Sequence, residues 1–181
     1  IIVETVGVGQ SETMVASMVD FFLALLIPAG GDELQGIKKG LIELADAIVI
    51  NKADIDPTLA KRSAQHYRVA LHILEPASRN WTPPVLTSSA ISGDGVAEVW
   101  AQLERHREIM TASGERAARR ATQNVGWMWS QVNDRLGEAL RTHPTVARLV
   151  GDLEPQVRKG LLPPGEAADR LLRAFGLPEK A

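Results

Sequence analysis

Four short stretches of this chain, residues 1–4, 20–27, 47–51 and 85–88, are apolar almost without interruption. A strand with one wet face alternates apolar and polar side chains, whereas a strand covered by helices on both faces reads as a continuous apolar run. Between these runs lie segments with helical spacing, at 12–18, 37–45 and 57–73. That alternation points to a parallel α/β sheet, with pocket-forming loops gathered at the carboxyl ends of its strands. Pro83 and Pro84 mark an extended entry into the fourth run. Ser92, Gly93, Asp94 and Gly95 then form a turn ahead of an amphipathic segment at 96–110.

Beyond Ser113 and Gly114 the strand-like runs stop. A long helical stretch at 115–141 carries Ala121, Val125, Met128, Val132, Leu136 and Ala139 at three- and four-residue spacing, which makes one face apolar. His143 and Pro144 end it, and shorter helical pieces follow, broken at Gly160, at Pro163 and Pro164, and at Gly176 and Pro178. The division is therefore an α/β part at 1–114 and an all-helical extension at 115–181. No internal repeat interrupts it.

Hydrophobic residues at 45% and charged residues at 23% exclude a disordered chain. A net charge of -2 gives no electrostatic case for nucleic acid or an anionic membrane. The longest apolar run, at 21–27, is far short of the roughly twenty residues of a membrane span. The absence of cysteine rules out disulfides, zinc–thiolate sites and thiol catalysis, and suits a reducing, cytoplasmic compartment. Because Ile1, Ile2 and Val3 open the chain inside an apolar run with no initiator Met, the sequence reads as a fragment.

Chemistry is concentrated where the apolar runs end. Asn51, Lys52, Ala53 and Asp54 spell the N-K-x-D box of guanine-nucleotide-binding proteins directly after a buried run. A carboxylate at Asp54 can accept hydrogen bonds from guanine N1 and the exocyclic amine, which the edge of adenine cannot offer. The stem of Lys52 can lie along the base, and Asn51 is expected to tie the loop to the phosphate side. The bland alternative is a polar strand-to-helix turn capped by Asp54 or Asp56. Ser88, Ser89, Ala90 and Ile91 follow the next run, where such proteins place a loop whose backbone N–H reaches guanine O6. At the start, Glu4 is followed by Thr5, Val6, Gly7, Val8, Gly9 and Gln10. An acid ending a strand and followed by glycines is an arrangement in which a carboxylate holds Mg²⁺ and a Gly N–H reaches a terminal phosphate, with Gln10 a candidate to orient water. The alternative there is a Gly-rich turn capped by Ser11.

Taken together, ETVGVGQSE at 4–12, GDELQGIKKG at 31–40 and NKAD at 51–54 resemble the GTPase chaperones associated with methylmalonyl-CoA mutase, the MeaB/ArgK type. The resemblance continues through TSSA at 87–90, WMWS at 127–130 and HP at 143–144, and so covers nearly the whole chain. It implies a P-loop GTPase fold of the signal-recognition and MinD-like class and GTP or GDP with Mg²⁺. It also implies a homodimer formed through the helical extension and an adenosylcobalamin-dependent methylmalonyl-CoA mutase as partner. Residue by residue, Glu4 resembles the Walker B acid near Mg²⁺, and Gly7 lies in the switch that senses the γ-phosphate. Asn51, Lys52 and Asp54 match the base box, and Ser89, Ala90 and Ile91 match the O6 loop. The segment 31–39, with Asp32, Glu33, Gln35, Lys38 and Lys39, resembles the additional switch that relays nucleotide state to the mutase.

One departure is plain. The sequence has no G-x-x-x-x-G-K-S/T and no Gly-Lys dipeptide, so the phosphate-cradling loop is missing and this polypeptide alone is not expected to turn over GTP. The rival readings are a non-catalytic, dimerising partner-binding module and a related metallochaperone GTPase. The second lacks support because His66, His72, His106 and His143 show no metal-like spacing and read as surface or helix-end residues. Arg116, Arg119 and Arg120 read as a solvated basic face beside Glu115, and Asp20, Phe21 and Phe22 do not complete the D-F-G of a protein kinase. Trp127 lies roughly 140° from the centre of its helix's apolar stripe at 100° per residue. It is expected to be covered by a second subunit or by its own chain, while Trp129, near the stripe, is expected in the core.

Overall fold

The computed structural model describes residues 1–4, 11–28, 39–74 and 78–178. The chain packs as two units, Ile1–Gln123 and Asn124–Ala181. In order along the first run α1 (Ser11–Ala16), β1 (Leu23–Leu26), α2 (Lys39–Leu44), β2 (Ala47–Ile50), α3 (Pro57–Ile73), β3 (Val85–Thr87) and α4 (Val96–Ala112). The long α5 (Glu115–Thr142) begins at the expected boundary, but its first turns, residues 115–123, pack with this α/β unit.

The three strands form one parallel sheet in the order β1-β2-β3, with Leu23 opposite Ala47 and Ile48 opposite Val85. The central strand β2 is buried at every residue, and Ile48, Val49 and Ile50 have no exposed surface. Its uninterrupted apolar sequence is that of a strand covered on both faces. The flanking strand β1 is covered less completely: Leu25 is 62% exposed, so continuous apolarity overstated its burial. Phe22, Ala24, Ile42, Ala60, Ala64 and Tyr67 complete the core around β2. Helix α3 presents Ala60, Ser63, Ala64 and Tyr67 inward, at helical spacing. It starts on Pro57, with Asp56 accepting the Leu59 N–H at 2.8 Å as its cap.

The strand expected at 1–4 does not form. Ile1 and Ile2 are fully exposed, Val3 is 44% exposed, and none of the four residues joins a ladder. A strand exists only through the hydrogen bonds of a neighbour, and among the described residues the three-stranded sheet gives this segment none.

The polar centre of the unit is Asp46, between α2 and β2. Its carboxylate accepts the Phe22 N–H at 2.8 Å and a two-pronged pair from Arg119, at 2.8 and 2.9 Å. Its carbonyl accepts Trp81 Nε1–H at 2.8 Å. His106 is 3% exposed and packs edge-on against Phe21 and Trp81. Its Nε2 stands 3.5 Å from Asp46 Oδ1, too long for a full hydrogen bond, so the Arg119 fork is the stronger partner. The surface reading of His106 is thereby corrected, as is that of the arginines: Arg119 pairs with Asp46, and Arg116 and Arg120 pair with Asp20.

In the second unit, α6 (Pro144–Arg158) and α7 (Pro164–Phe175) pack through Leu153, Leu162 and Ala167. Pro144 opens α6, and Gly176 closes α7 in a left-handed conformation. No described residue of α5 is buried. Trp129 is 57% exposed and Trp127 58%, so Trp129 is not core and the chain itself does not cover Trp127. The apolar stripe itself is exposed at Val125, Met128, Val132 and Leu136.

Burial pushes the Asp46 carboxyl up, yet the hydrogen bonds from Arg119, His106 and Phe22, with the Arg119 charge, outweigh it and hold the group at about 2. A folded-state value below the ordinary 3.8 gives stability that is present above pH 4 and lost as pH falls through about 2. The difference is worth about 2 kcal/mol. Asp46→Asn should destabilise the fold by about 3 kcal/mol at neutral pH, since it leaves Arg119 without its carboxylate. It should also flatten the loss of stability between pH 4 and 2, read as urea unfolding midpoints. Parallel pH profiles for the two proteins would assign acid sensitivity to other carboxylates.

Candidate functional site

The carboxyl ends of β2 and β3 lie side by side, and the loops leaving them are hydrogen-bonded together. Asn51 N–H donates to Leu26 O at 2.7 Å, and Ser88 N–H donates to Ile50 O at 2.9 Å, extending the ladder by one rung on each side. Just past these rungs, Asn51 Oδ1 accepts the Ser88 hydroxyl at 3.4 Å and the Ala90 N–H at 3.2 Å. Ala53 N–H donates to Ser88 O at 3.0 Å. The two motifs are thus one structure. Asn51 Oδ1 is engaged with the Ser88 hydroxyl and the Ala90 N–H, while the phosphate-side segment to which Asn51 is expected to tie the loop includes residues 5–10, outside the described residues.

Lys52 adopts φ 59°, the left-handed region that costs a non-glycine residue roughly 1–2 kcal/mol. Ile55 N–H returns to Lys52 O at 3.2 Å and closes the turn. Asp56 caps α3, so Asp54 is not needed as a cap. Asp54 is exposed and makes no hydrogen bond or ion pair among the described residues. An ionised carboxylate held in a rigid turn with no internal partner is an open acceptor for two N–H groups of a ligand.

The second loop is stiffened from behind. Ser89 is 1% exposed; its N–H donates to Asp94 O at 2.9 Å, and its carbonyl accepts the Gly93 N–H at 2.9 Å. Ser92 N–H donates to Ser89 Oγ at 3.2 Å, and Ser92 Oγ donates to Asp94 Oδ2 at 2.7 Å. Ala90 and Ile91 are left exposed, Ile91 at 88%. The Ala90 N–H already has Asn51 Oδ1 as a long partner, so a ligand oxygen must share or displace that bond. Gly95, expected only as part of the turn before α4, is the N-cap of that helix and lies against β3. At φ 74°, a Cβ there would stand 2.2 Å from Thr87 O and 3.2 Å from Ser88 Cα.

Glu4 is exposed. Gly7, Gln10, Asp32, Glu33, Gln35 and Lys38 lie outside the described residues, as does the side chain of Lys39, whose backbone begins α2. Among the described residues no three His, Asp or Glu side chains converge. No described helix is long and apolar enough to cross a membrane.

An N-K-x-D turn and an S-A loop are locked together at the carboxyl ends of adjacent parallel strands, the arrangement expected of a base-reading site in a guanine-nucleotide-binding α/β protein. Residues 1–145 match the family model of the methylmalonyl-CoA mutase-associated GTPase MeaB, and the chain belongs to that family. It is 67% identical over 177 residues to a protein of Caulobacter vibrioides named as a GTPase, covering 98% of this chain and 54% of that protein. It is 49% identical over 176 residues to the mitochondrial methylmalonic aciduria type A homolog of Mus musculus, covering 97% of this chain and 42% of the relative. A solved structure described as a LAO/AO transport system kinase superposes with a TM-score of 0.71 at 38% identity, covering 93% of this chain and 54% of that one. The chain spans about half the length of these relatives.

Gly95→Ala should cost about 2–4 kcal/mol, from the left-handed φ together with overlap on Thr87 O. Gly93→Ala, at φ 83° with nothing within 4 Å of a new Cβ, should cost only the conformational part, about 1 kcal/mol. Thermal unfolding of both variants checks this; equal losses would mean that close packing of α4 on β3 contributes nothing.

Proposed function

We propose that the full-length protein is a GTP-hydrolysing chaperone that assembles with an adenosylcobalamin-dependent methylmalonyl-CoA mutase and protects it or loads its cofactor. This chain supplies the base-reading side. The observation that carries the reading is the Asn51 bridge between the two loops, which leaves Asp54, Lys52, Ala90 and Ile91 exposed on the joined loops.

In this reading Asp54 accepts guanine N1–H and one proton of the exocyclic amine, and Ala90 or Ile91 N–H donates to O6. The Lys52 stem and the exposed Ile91 side chain cover the base. Glu4, Gly7 and Gln10 face the phosphates, and Asp32, Glu33, Gln35, Lys38 and Lys39 couple nucleotide state to the mutase. The family description and the name of the murine relative support the mutase as partner. Guanine nucleotide is the ligand that this loop chemistry favours.

Asp54→Asn in the full-length protein tests the base site. The amide presents a donor where guanine also presents one, whereas xanthine offers a carbonyl there. Nucleotide titration should show GDP binding about 10–100-fold weaker, from the loss of charge-assisted hydrogen bonds, with xanthosine diphosphate gaining relative to it. An unchanged preference would remove Asp54 from the base site.

The exposed apolar face of α5 supports a homodimer formed through the helical extension, and Trp127, a large exposed aromatic on the other side of that helix, is a separate point for the second subunit to cover. Trp127→Ala should shift the dimer towards monomer in sedimentation at micromolar concentration, with a roughly tenfold weaker association, about 1.4 kcal/mol, and unchanged helix content. An unchanged association constant would make Trp127 an ordinary surface residue.

A further inference from the structure

A backbone N–H that already donates within the protein can serve a ligand only by giving that bond up. In the loop leaving β3, Ser88 N–H donates to Ile50 O at 2.9 Å, Ser89 N–H to Asp94 O at 2.9 Å, and Ala90 N–H to Asn51 Oδ1 at 3.2 Å. Beyond Ile91, Ser92 N–H donates to Ser89 Oγ at 3.2 Å, Gly93 N–H to Ser89 O at 2.9 Å, and Asp94 N–H to Ser92 Oγ at 3.3 Å. Among the described residues, the Ile91 N–H is the one amide from Ser88 to Asp94 that finds no acceptor.

The pattern has a local cause. Gly93 N–H on Ser89 O closes a turn of one helical repeat, and Ile91 is its central residue. As in the first turn of a helix, the amides inside such a turn have no carbonyl within reach. Side chains make up the deficit on either side of Ile91: Asn51 Oδ1 takes the Ala90 N–H, and Ser89 Oγ takes the Ser92 N–H. Ile91 itself is 88% exposed, so its N–H is left to solvent or to a ligand. A ligand oxygen on Ala90 N–H would instead draw Asn51 Oδ1 away from a bond that joins the two loops.

We infer that Ile91 is the specificity-determining residue of this loop: its backbone N–H donates to the oxygen at position 6 of a purine, while the Ala90 N–H serves the tie to Asn51. The inference rests on the guanine-nucleotide reading above and narrows it from two candidate amides to one. A 6-amino group, as in adenine, would set a donor against the same N–H. Because the reading group is backbone, the Ile91 side chain is free to vary, and Ile91→Ala should keep the base preference.

The test replaces one backbone N–H at a time by an ester oxygen in the full-length protein, using the α-hydroxy acid that corresponds to Ile91 or to Ala90. Each protein is titrated with GDP and with 6-thioguanosine diphosphate, which keeps guanine N1–H and the exocyclic amine but carries sulfur, a weak acceptor, at position 6. The ester at 91 should bind GDP about tenfold more weakly than wild type and the thio analogue within about twofold of it, so that the preference for GDP is lost. Its unfolding temperature should not change, since no internal bond of the loop is removed. The ester at 90 should lower the unfolding temperature and weaken both nucleotides by one factor, which keeps the preference. Loss of the preference with the ester at 90, whether or not it is also lost at 91, overturns the inference. So does a preference kept by both esters, or a wild type with none. Should the ester at 91 not fold, amide exchange in the wild type decides: GDP should slow exchange at Ile91 about tenfold more than the thio analogue does, and equal slowing overturns the inference. A wild type that binds neither nucleotide overturns the guanine-nucleotide reading itself.

Discussion

Asp46 is the constraint on which the α/β unit depends. A carboxylate placed almost out of water is tolerated only where hydrogen bonds replace its hydration, and the four elements that supply or adjoin those bonds are far apart in sequence. Phe22 leads into β1, Ala47 follows Asp46 into β2, Trp81 lies on the approach to β3, and Arg119 is on α5. Satisfying one residue, its carboxylate and its backbone carbonyl together, therefore aligns the amino ends of all three strands. Asp46 N–H on Phe22 O and Ile48 N–H on Pro84 O set the first rungs, and the register follows from them. A slip of one residue would turn the buried side chains of β2 to the wrong faces and leave the carboxylate unpaired.

The consequence appears at the opposite end of the sheet. Register fixed at the amino ends decides which residues emerge together at the carboxyl ends, and it brings Asn51 level with Ser88. Only in that register can one amide oxygen accept from both Ser88 and Ala90. The two loops proposed to read the base are therefore held in place by the chain itself, with Lys52 kept in a costly backbone conformation by the bonds on either side of it. Pre-ordering of this kind lowers the entropic cost of binding.

The motifs of this site were legible because base recognition uses short contiguous runs at strand ends: an N-K-x-D turn can be read without knowing what packs behind it. The supporting groups could not be read in the same way. Asp46, His106 and Arg119 stand far apart in the chain, and nothing local distinguishes a buried Arg–Asp pair from two solvated surface charges. Periodicity found the helices, including the full extent of α3, and the order of β1, β2 and β3 followed from their apolar runs. It failed where burial depends on a neighbour. Residues 1–4 have strand composition without a ladder, and Trp129 has a core position on a helical wheel without a core. Apolarity states what a segment can bury; pairing decides whether it does. Gly95 could be read as a turn residue but not as one that must lack a side chain, because the carbonyl that it must clear belongs to another element.

The helix α5 joins these two kinds of information. Its first turns are polar and read as a surface, yet they hold the turn after α1 through Arg116, Arg120 and Gln123 and complete Asp46 through Arg119. Its later turns are apolar and read as core, yet they are exposed. Both misreadings have the same origin: a helix wheel ranks faces by hydropathy, whereas here the polar end finds its partners within the chain and the apolar end does not.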